Sequence, residues 1–591
     1  MPSLLPRRIL LLPALLALAA CATVSPPSAV PGPVTVGLIA INDFHGNIEP
    51  PRQSVEAPLT DGGKVRVPVG GAAYLASAID GLRAKYPDHL VVSAGDLIGA
   101  SPITSSLFLD EPTIGVMNRI GLDFNAVGNH EFDRGQAELL RMQRGGCEKL
   151  TVREPCRVEP QFTGAKFHFL AANVTTPSGA TLFPASALRS FGKGRAKVTV
   201  GLIGLTLKDT PNLASPSGVT GLTFADEADT INREVGRLKR QGADAIAVLI
   251  HQGLYTTVPY NDHSCGGVSG DLLKVLSRLD PQVDLVISGH THWAYVCDYT
   301  QIDPARHFLV TSAGVYGELV TDISIAIDPV AGRVVSRRAD NVLVQGKAFT
   351  NARGTVANTD AVPRFAPRAD IADYVSLYTR AVKAEAGRVI GHLDGGLAAK
   401  PPMATVETAL GNMLADMQLA ATSAPDRGAA QIALMNNSGI RTELAPGPDG
   451  SVTFGQIFAV QPFANTLVTK SFTGAQLHAL LEQQFDDEGI QQAFSSSAGF
   501  TFAFDLSRPV GQRVSAVALD GMPINDAAIY RVTMNSFLAS GGDGFTVFRD
   551  GTDVVNGAVD LDAAEAWFRA APRRSLPATG RLRNLTPAVP Q

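Results

Sequence analysis

Five apolar runs in this chain stop in the same way, each leading into residues that bind metal ions. Val34–Ile41 leads into Asn42-Asp43-Phe44-His45. Leu90–Val92 leads through Gly95 to Asp96, and Phe124–Val127 leads through Gly128 to Asn129 and His130. Ala245–Ile250 meets His251, and Val283–Ile287 passes Gly289 to reach His290-Thr291-His292. Helical periodicity lies between runs, as with Leu75, Ile79 and Leu82, so the runs read as buried strands of an α/β fold. Glycine lets a chain turn sharply as it leaves a sheet. Residues two apart in an extended segment share a side, so His290 and His292 are expected to face one point, as are Asp43 and His45. In open α/β sheets, sites form where strand carboxyl ends converge. Any one of these residues alone reads as an ordinary loop residue. Five repeats point to one shared site.

Asp43, His45, Asp96, Asn129, His251, His290 and His292 offer seven nitrogen and oxygen donors, more than one tetrahedral ion uses. They suit two divalent ions sharing a carboxylate, and a histidine-rich, thiolate-free set favours Zn, Mn, Fe or Co over Mg or Ca alone. Two such ions clamp both oxygens of an in-line phosphoryl displacement and acidify water. The expected reaction is therefore phosphoester hydrolysis by a metal-bound hydroxide.

A chain of 591 residues is too long for one core. Its net charge of -5, without any basic block, gives no footprint for a nucleic-acid polymer. No obligate protein partner is indicated. Arg7 and Arg8 precede the apolar run Ile9–Ala20, which is too short to span a bilayer and reads as a signal peptide, residues 1–20. The ending Leu18-Ala19-Ala20-Cys21 resembles a bacterial lipobox, making Cys21 the lipid-bearing first residue of the mature chain, with Ala22 resembling the outer-membrane sorting pattern. That places the protein in the cell envelope, on the periplasmic side of a Gram-negative outer membrane; the alternative is ordinary cleavage to a soluble product. Residues 21–33 form a Pro/Ser/Val tether. Cys147, Cys156, Cys265 and Cys297 remain, an even set that suggests two disulfides in an oxidising compartment, paired by proximity as Cys147–Cys156 and Cys265–Cys297.

Together, Asp43-x-His45, Gly95-Asp96, Gly128-Asn129-His130-Glu131-Phe132-Asp133, His251 and Gly289-His290-x-His292 resemble the motif set of calcineurin-like metallophosphoesterases. More narrowly, the chain resembles the secreted 5′-nucleotidase and UDP-sugar hydrolase family. The resemblance implies a four-layer α/β/β/α domain over residues 34–345, a linker with a connecting helix over 346–388, and a smaller α/β nucleotide-binding domain over 389–585. It implies that Asp43, His45, Asp96 and His292 hold one metal. Asp96, Asn129, His251 and His290 hold the other, with Asp96 shared. His130 resembles the family's catalytic histidine and Asp133 its orienting partner; the alternative for Asp133 is a cap of the following helix. In the second half, Asn436 and Arg441 belong to a matching substrate-binding stretch in which Arg441 could grip phosphate, while Phe463 and Phe537 resemble a sandwich for the base and Asp543 a ribose contact. Without the family, the phenylalanines read as core and Asp543 as a turn residue. Val406 departs from the pattern, where relatives often carry arginine. The implied substrate is a nucleotide monophosphate; a 2′,3′-cyclic nucleotide and a UDP-sugar stay open, as does a non-enzymatic nucleotide-binding lipoprotein.

Overall fold

The computed structural model describes residues 31–587, apart from 60–61, 152, 215, 352–353, 401–406, 464, 487–488 and 491. The signal segment, Cys21, most of the tether and Val406 lie outside the described residues. Among the described residues, no helix is long and apolar enough to cross a membrane.

Two six-stranded sheets form the core of the first half. In one, Val34–Ile41, His89–Ser93, Phe124–Ala126 and His168–Leu170 run parallel in that spatial order. Leu319–Asp328 and Arg333–Leu343 close its edge antiparallel. In the other, Val198–Thr206, Ala245–His251, Leu285–Ser288 and Leu309–Ala313 are parallel neighbours. Ser186–Phe191 and Ala294–Asp298 flank them antiparallel.

The alternation within each strand decides the layers. Val36, Leu38, Ala40, Leu90 and Val92 meet Val200, Leu202, Ala247, Leu249 and Ile287 between the sheets. Their sequence neighbours point outward. Ile39, Ile41 and Val91 pack with Leu75, Ile79, Ile114 and Met117 of helices Ala72–Lys85 and Glu111–Ile120. Ile203, Ile246 and Val248 pack with Ile231, Val235 and Leu238 of helix Glu227–Arg240. Two helical layers thus sandwich two sheets, and every central strand is apolar on both faces.

Helix Ala369–Ala386 joins the halves and inserts Ile371, Tyr374, Tyr378 and Val382 into the first helical layer. The tyrosine hydroxyls both donate to Glu159 Oε2, at 2.6 and 2.7 Å. The second half is built on a five-stranded sheet, ordered Phe494–Ser496, Ile432–Asn436, Ile529–Asn535, Thr466–Thr473 and Thr552–Val559. Apolar clusters cover both faces. Cys147–Cys156 and Cys265–Cys297 are disulfides, with Cα atoms 5.7 and 5.0 Å apart.

Candidate metal centre and substrate pocket

The carboxyl ends of the parallel strands deliver two clusters side by side. Asp43, His45 and His292 form one group, and Asp96, His251 and His290 the other, each with donor atoms within 4.8 Å of one another. Asn129 Oδ1 joins the second group, 3.2 Å from His251 Nε2 and 3.1 Å from His290 Nδ1. Asp96 Oδ2 reaches both, at 3.0 Å from His251 Nε2 and 3.6 Å from His45 Nε2.

One expectation needs correction. His290 and His292 do not face a common point; they serve different groups. The ligand residues lie past the strand ends, and Asp43, His45, Asp96, His290 and His292 have φ of 47°, 44°, 48°, 74° and 60°. Left-handed backbone at a non-glycine residue is uncommon and strained, and strand alternation does not apply there. The surrounding contacts hold these turns: His290 N–H donates to Asp43 Oδ1 and Oδ2 at 3.0 and 2.9 Å, and Asn42 Nδ2 donates to Asp43 Oδ2 at 2.7 Å. The glycines contribute mainly through close approach. A Cβ on Gly128 would sit 2.2 Å from Asp96 Oδ1, and one on Gly289 2.7 Å from Asp43 Oδ2.

The ring orientations suit metal binding. His45 Nδ1 donates to Gly99 O and His251 Nδ1 to Ala94 O, both at 2.9 Å, which leaves each Nε2 lone pair for an ion. His45 Nε2 faces His292 Nε2 at 3.2 Å. Burial pushes His45 and His290 down to about 3, so both are neutral. Burial also opposes charge on His251, yet Asp96 and Asp43 hold it up to about 10. In the metal-free chain these carboxylates favour a proton on His251 Nε2, the position that an ion would take instead. The donor set therefore fits a pair of divalent cations, the centre that calcineurin-like phosphoesterases use.

Glu131 makes the turns rigid. Its carboxylate accepts from Asp96 N and Leu97 N at 2.9 Å each, Gly128 N at 2.7 Å and Asn125 Nδ2 at 3.1 Å. Asp133 does not cap the following helix, Gln136–Arg144, whose N-cap is Gly135. Instead Asp133 Oδ2 lies 2.9 Å from His130 Nδ1. Burial works against charge on His130, but Asp133 and Asp96 outweigh it and raise its pKa.

A cavity of about 360 Å³ opens over this centre. Asp96, Asn129, His130, Asp133, His290 and His292 line it from the first half; Asn436, Arg441, Phe463, Phe537 and Asp543 line it from the second. Phe463 is not core: its ring stacks 5.9 Å from His130 with planes 13° apart, and Arg441 sits 5.8 Å from its centroid. Asp543 has φ of 55°, and its Oδ2 accepts from Asn436 Nδ2 at 2.7 Å and from Ser438 Oγ. Sequence reading passed over Tyr255 and Gln492, which also line the cavity. Both lie in polar loops without motif or periodicity. His168 and His307 are exposed, away from the cavity lining. His263 pairs with Asp340 at 3.7 Å.

The fold and this centre define a two-domain metallophosphoesterase. The family model described as calcineurin-like phosphoesterase matches residues 38–294, and that of the 5′-nucleotidase C-terminal domain matches 389–550. The chain belongs to the calcineurin-like phosphoesterases that carry this second domain. It is 28% identical over 543 residues to endonuclease YhcR of Bacillus subtilis, covering 91% of this chain and 40% of that one. It is 30% identical over 557 residues to the cell wall protein Lmo0130 of Listeria monocytogenes, covering 90% and 66%. Among solved structures, the 5′-nucleotidase precursor of Thermus thermophilus superposes with a TM-score of 0.68 at 26% identity, over 93% of this chain and 99% of that one.

Proposed function

We propose that this protein is a 5′-nucleotidase-like phosphoester hydrolase acting on nucleotides. The observation that carries the reading is one cavity lined by four candidate metal ligands with His130 and Asp133, and by an aromatic and carboxylate set from the other half. When bound, two divalent ions supply charge for the phosphoryl oxygens and an acidified water. Asp43, His45, Asp96 and His292 would hold one ion, and Asp96, Asn129, His251 and His290 the other.

The chain's own residues do the rest. His130 keeps a proton for the phosphoryl oxygens, because Asp133 fixes its Nδ1 side. Arg441 grips phosphate. Phe463 and Phe537 stack a flat base, and Asp543 accepts ribose hydroxyls. The division into 34–345, 346–388 and 389–585 assigns hydrolysis to the first part and selectivity to the last. Export and a lipid anchor at Cys21 are supported by the leader pattern, by two disulfides that need an oxidising compartment, and by similarity to a cell wall protein.

The test is phosphate release from AMP, UMP, UDP-glucose, 2′,3′-cyclic AMP and bis-p-nitrophenyl phosphate, first in EDTA and then with Mn, Zn or Co restored. Metal-dependent release from AMP or UMP is expected. Activity confined to the cyclic or diester substrates would replace the nucleotidase reading with a phosphodiesterase. No activity with any metal would overturn the hydrolase reading.

A further inference from the structure

Strand Thr466–Thr473 of the five-stranded sheet is buried over most of its length. Val468, Lys470 and Phe472 alternate onto one face. There Val468 and Phe472 pack with Leu538, Ala539, Phe545 and Phe548. The alternation calls for an apolar residue at 470, yet a lysine stands there, only 8% exposed. Among the described residues no carboxylate bonds to it. Its Nζ donates instead to Ala539 O at 2.7 Å and to Phe548 O at 2.8 Å. Burial lowers its pKa against the pull of Asp550. An ammonium taken out of water without a charged partner is costly, so a lysine at this position is explained by what it holds.

The two carbonyls bracket a segment that builds one wall of the cavity. Ala539 ends the helix Ser536–Ala539, which carries Phe537, and Phe548 lies in the 3-10 turn Thr546–Asp550. Between them comes Asp543, a non-glycine residue with φ of 55°. Backbone of that kind persists only where its surroundings over-determine it. Asn436 and Ser438 hold the Asp543 side chain. Arg549 Nε ties the exposed side of the loop by donating to Ser540 O at 3.0 Å. Lys470 is the buried tie. Phe537 and Asp543 line the cavity, whereas Lys470 lies outside its lining.

We propose that Lys470 is a positioning residue that sets the preference for substrates carrying a nucleoside. Its ammonium pins both ends of the 540–547 loop, so that Phe537 and Asp543 meet base and ribose already in place. Ordering the loop beforehand removes a cost from the binding step. Because Lys470 acts through this loop and not on the metal centre, its effect falls on KM, and only for substrates that use the loop. This rests on the nucleotidase reading and deepens it.

The experiment compares AMP with p-nitrophenyl phosphate, which has neither base nor ribose, in the metal-loaded full chain of wild type, Lys470→Met and Lys470→Arg. Lys470→Met should raise KM for AMP about tenfold, as loss of a stacking contact would, with kcat within about twofold and p-nitrophenyl phosphate hydrolysis unchanged. Lys470→Arg keeps a charged donor and should recover most of the loss. A KM for AMP that Lys470→Met leaves unchanged, or a loss equal for both substrates, overturns the proposal. A second measurement needs no variant. The amides of Gly541, Phe545 and Phe548 donate to Leu538 O, Gly542 O and Phe545 O, and in wild type they should resist hydrogen–deuterium exchange before adenosine is added. Amides that exchange freely until adenosine binds would show a loop that the lysine does not hold in place, and would overturn it as well. Wild type that hydrolyses p-nitrophenyl phosphate but not AMP would overturn the parent reading, and the role of Lys470 with it.

Discussion

His130 presents Nδ1 to Asp133 Oδ2 at 2.9 Å, across a single 3-10 turn from His130 to Phe132. The contact fixes which ring nitrogen is left for the cavity and favours the protonated ring. His130→Ala should cut kcat at least ~100-fold, the range of a lost acid–base group. Asp133→Asn keeps the shape but loses the charge, and should cost about tenfold in kcat with KM little changed. Steady-state kinetics on AMP separate these; equal KM effects would make His130 a binding residue instead.

Asp96 lies within reach of both donor groups. Asp96→Ala should reduce bound metal from two ions per chain to fewer than one, measured by elemental analysis after gel filtration. Turnover should fall by ~100-fold or more. Unchanged turnover would remove its bridging role.

Phe463 and Phe537 line the cavity from one side. Phe537→Ala should raise KM for AMP by roughly tenfold, since base stacking contributes about 1–3 kcal/mol. Hydrolysis of a substrate without a base, such as p-nitrophenyl phosphate, should be nearly unaffected.

Burial alone pushes the Glu318 carboxyl from its ordinary 4.5 up to about 7. Between those values the folded chain binds more protons than the unfolded chain. Stability therefore falls as pH rises through the window and levels off above it. Glu318→Gln should flatten that slope and stabilise the metal-free protein by about 1–3 kcal/mol at pH 8. Urea unfolding in EDTA from pH 5 to 8 reads it; a mutant with the wild-type slope would exclude Glu318 as its source.

The Cys265–Cys297 disulfide closes a separation of 32 residues. Replacing both with serine should destabilise the protein by about 3–4 kcal/mol. Cys147, Cys156, Cys265 and Cys297 are all paired, so the unreduced, denatured chain should show no thiol beyond Cys21.

The strands that carry the centre were legible because a strand buried on both faces must be a short apolar run. The residues after those runs were legible because few side chains bind metals. The aim of those side chains was not. Alternation predicted that His290 and His292 would act together, and left-handed turns separate them instead. The hairpin of Gln53–Pro58 with Lys64–Val69 and the edge strand Arg333–Leu343 were missed. Their half-exposed, charge-rich stretches lack a continuous apolar signature. Glu131 was readable only as structural. Two of its four donors, Asp96 N and Leu97 N, come from a turn more than thirty residues away in sequence, and no local pattern encodes them.

The cavity draws its two residue sets from the two halves of the chain, and that fixes an order. All seven candidate ligands are complete by His292, whereas Asn436 is the earliest of the pocket residues contributed by the other half. During synthesis, the capacity to hydrolyse is therefore encoded before the capacity to discriminate. A chain cut short just after the connecting helix Ala369–Ala386, which packs into the core of the first half, would keep its ligands and lose its choice of substrate, so truncation should yield promiscuity before it yields silence.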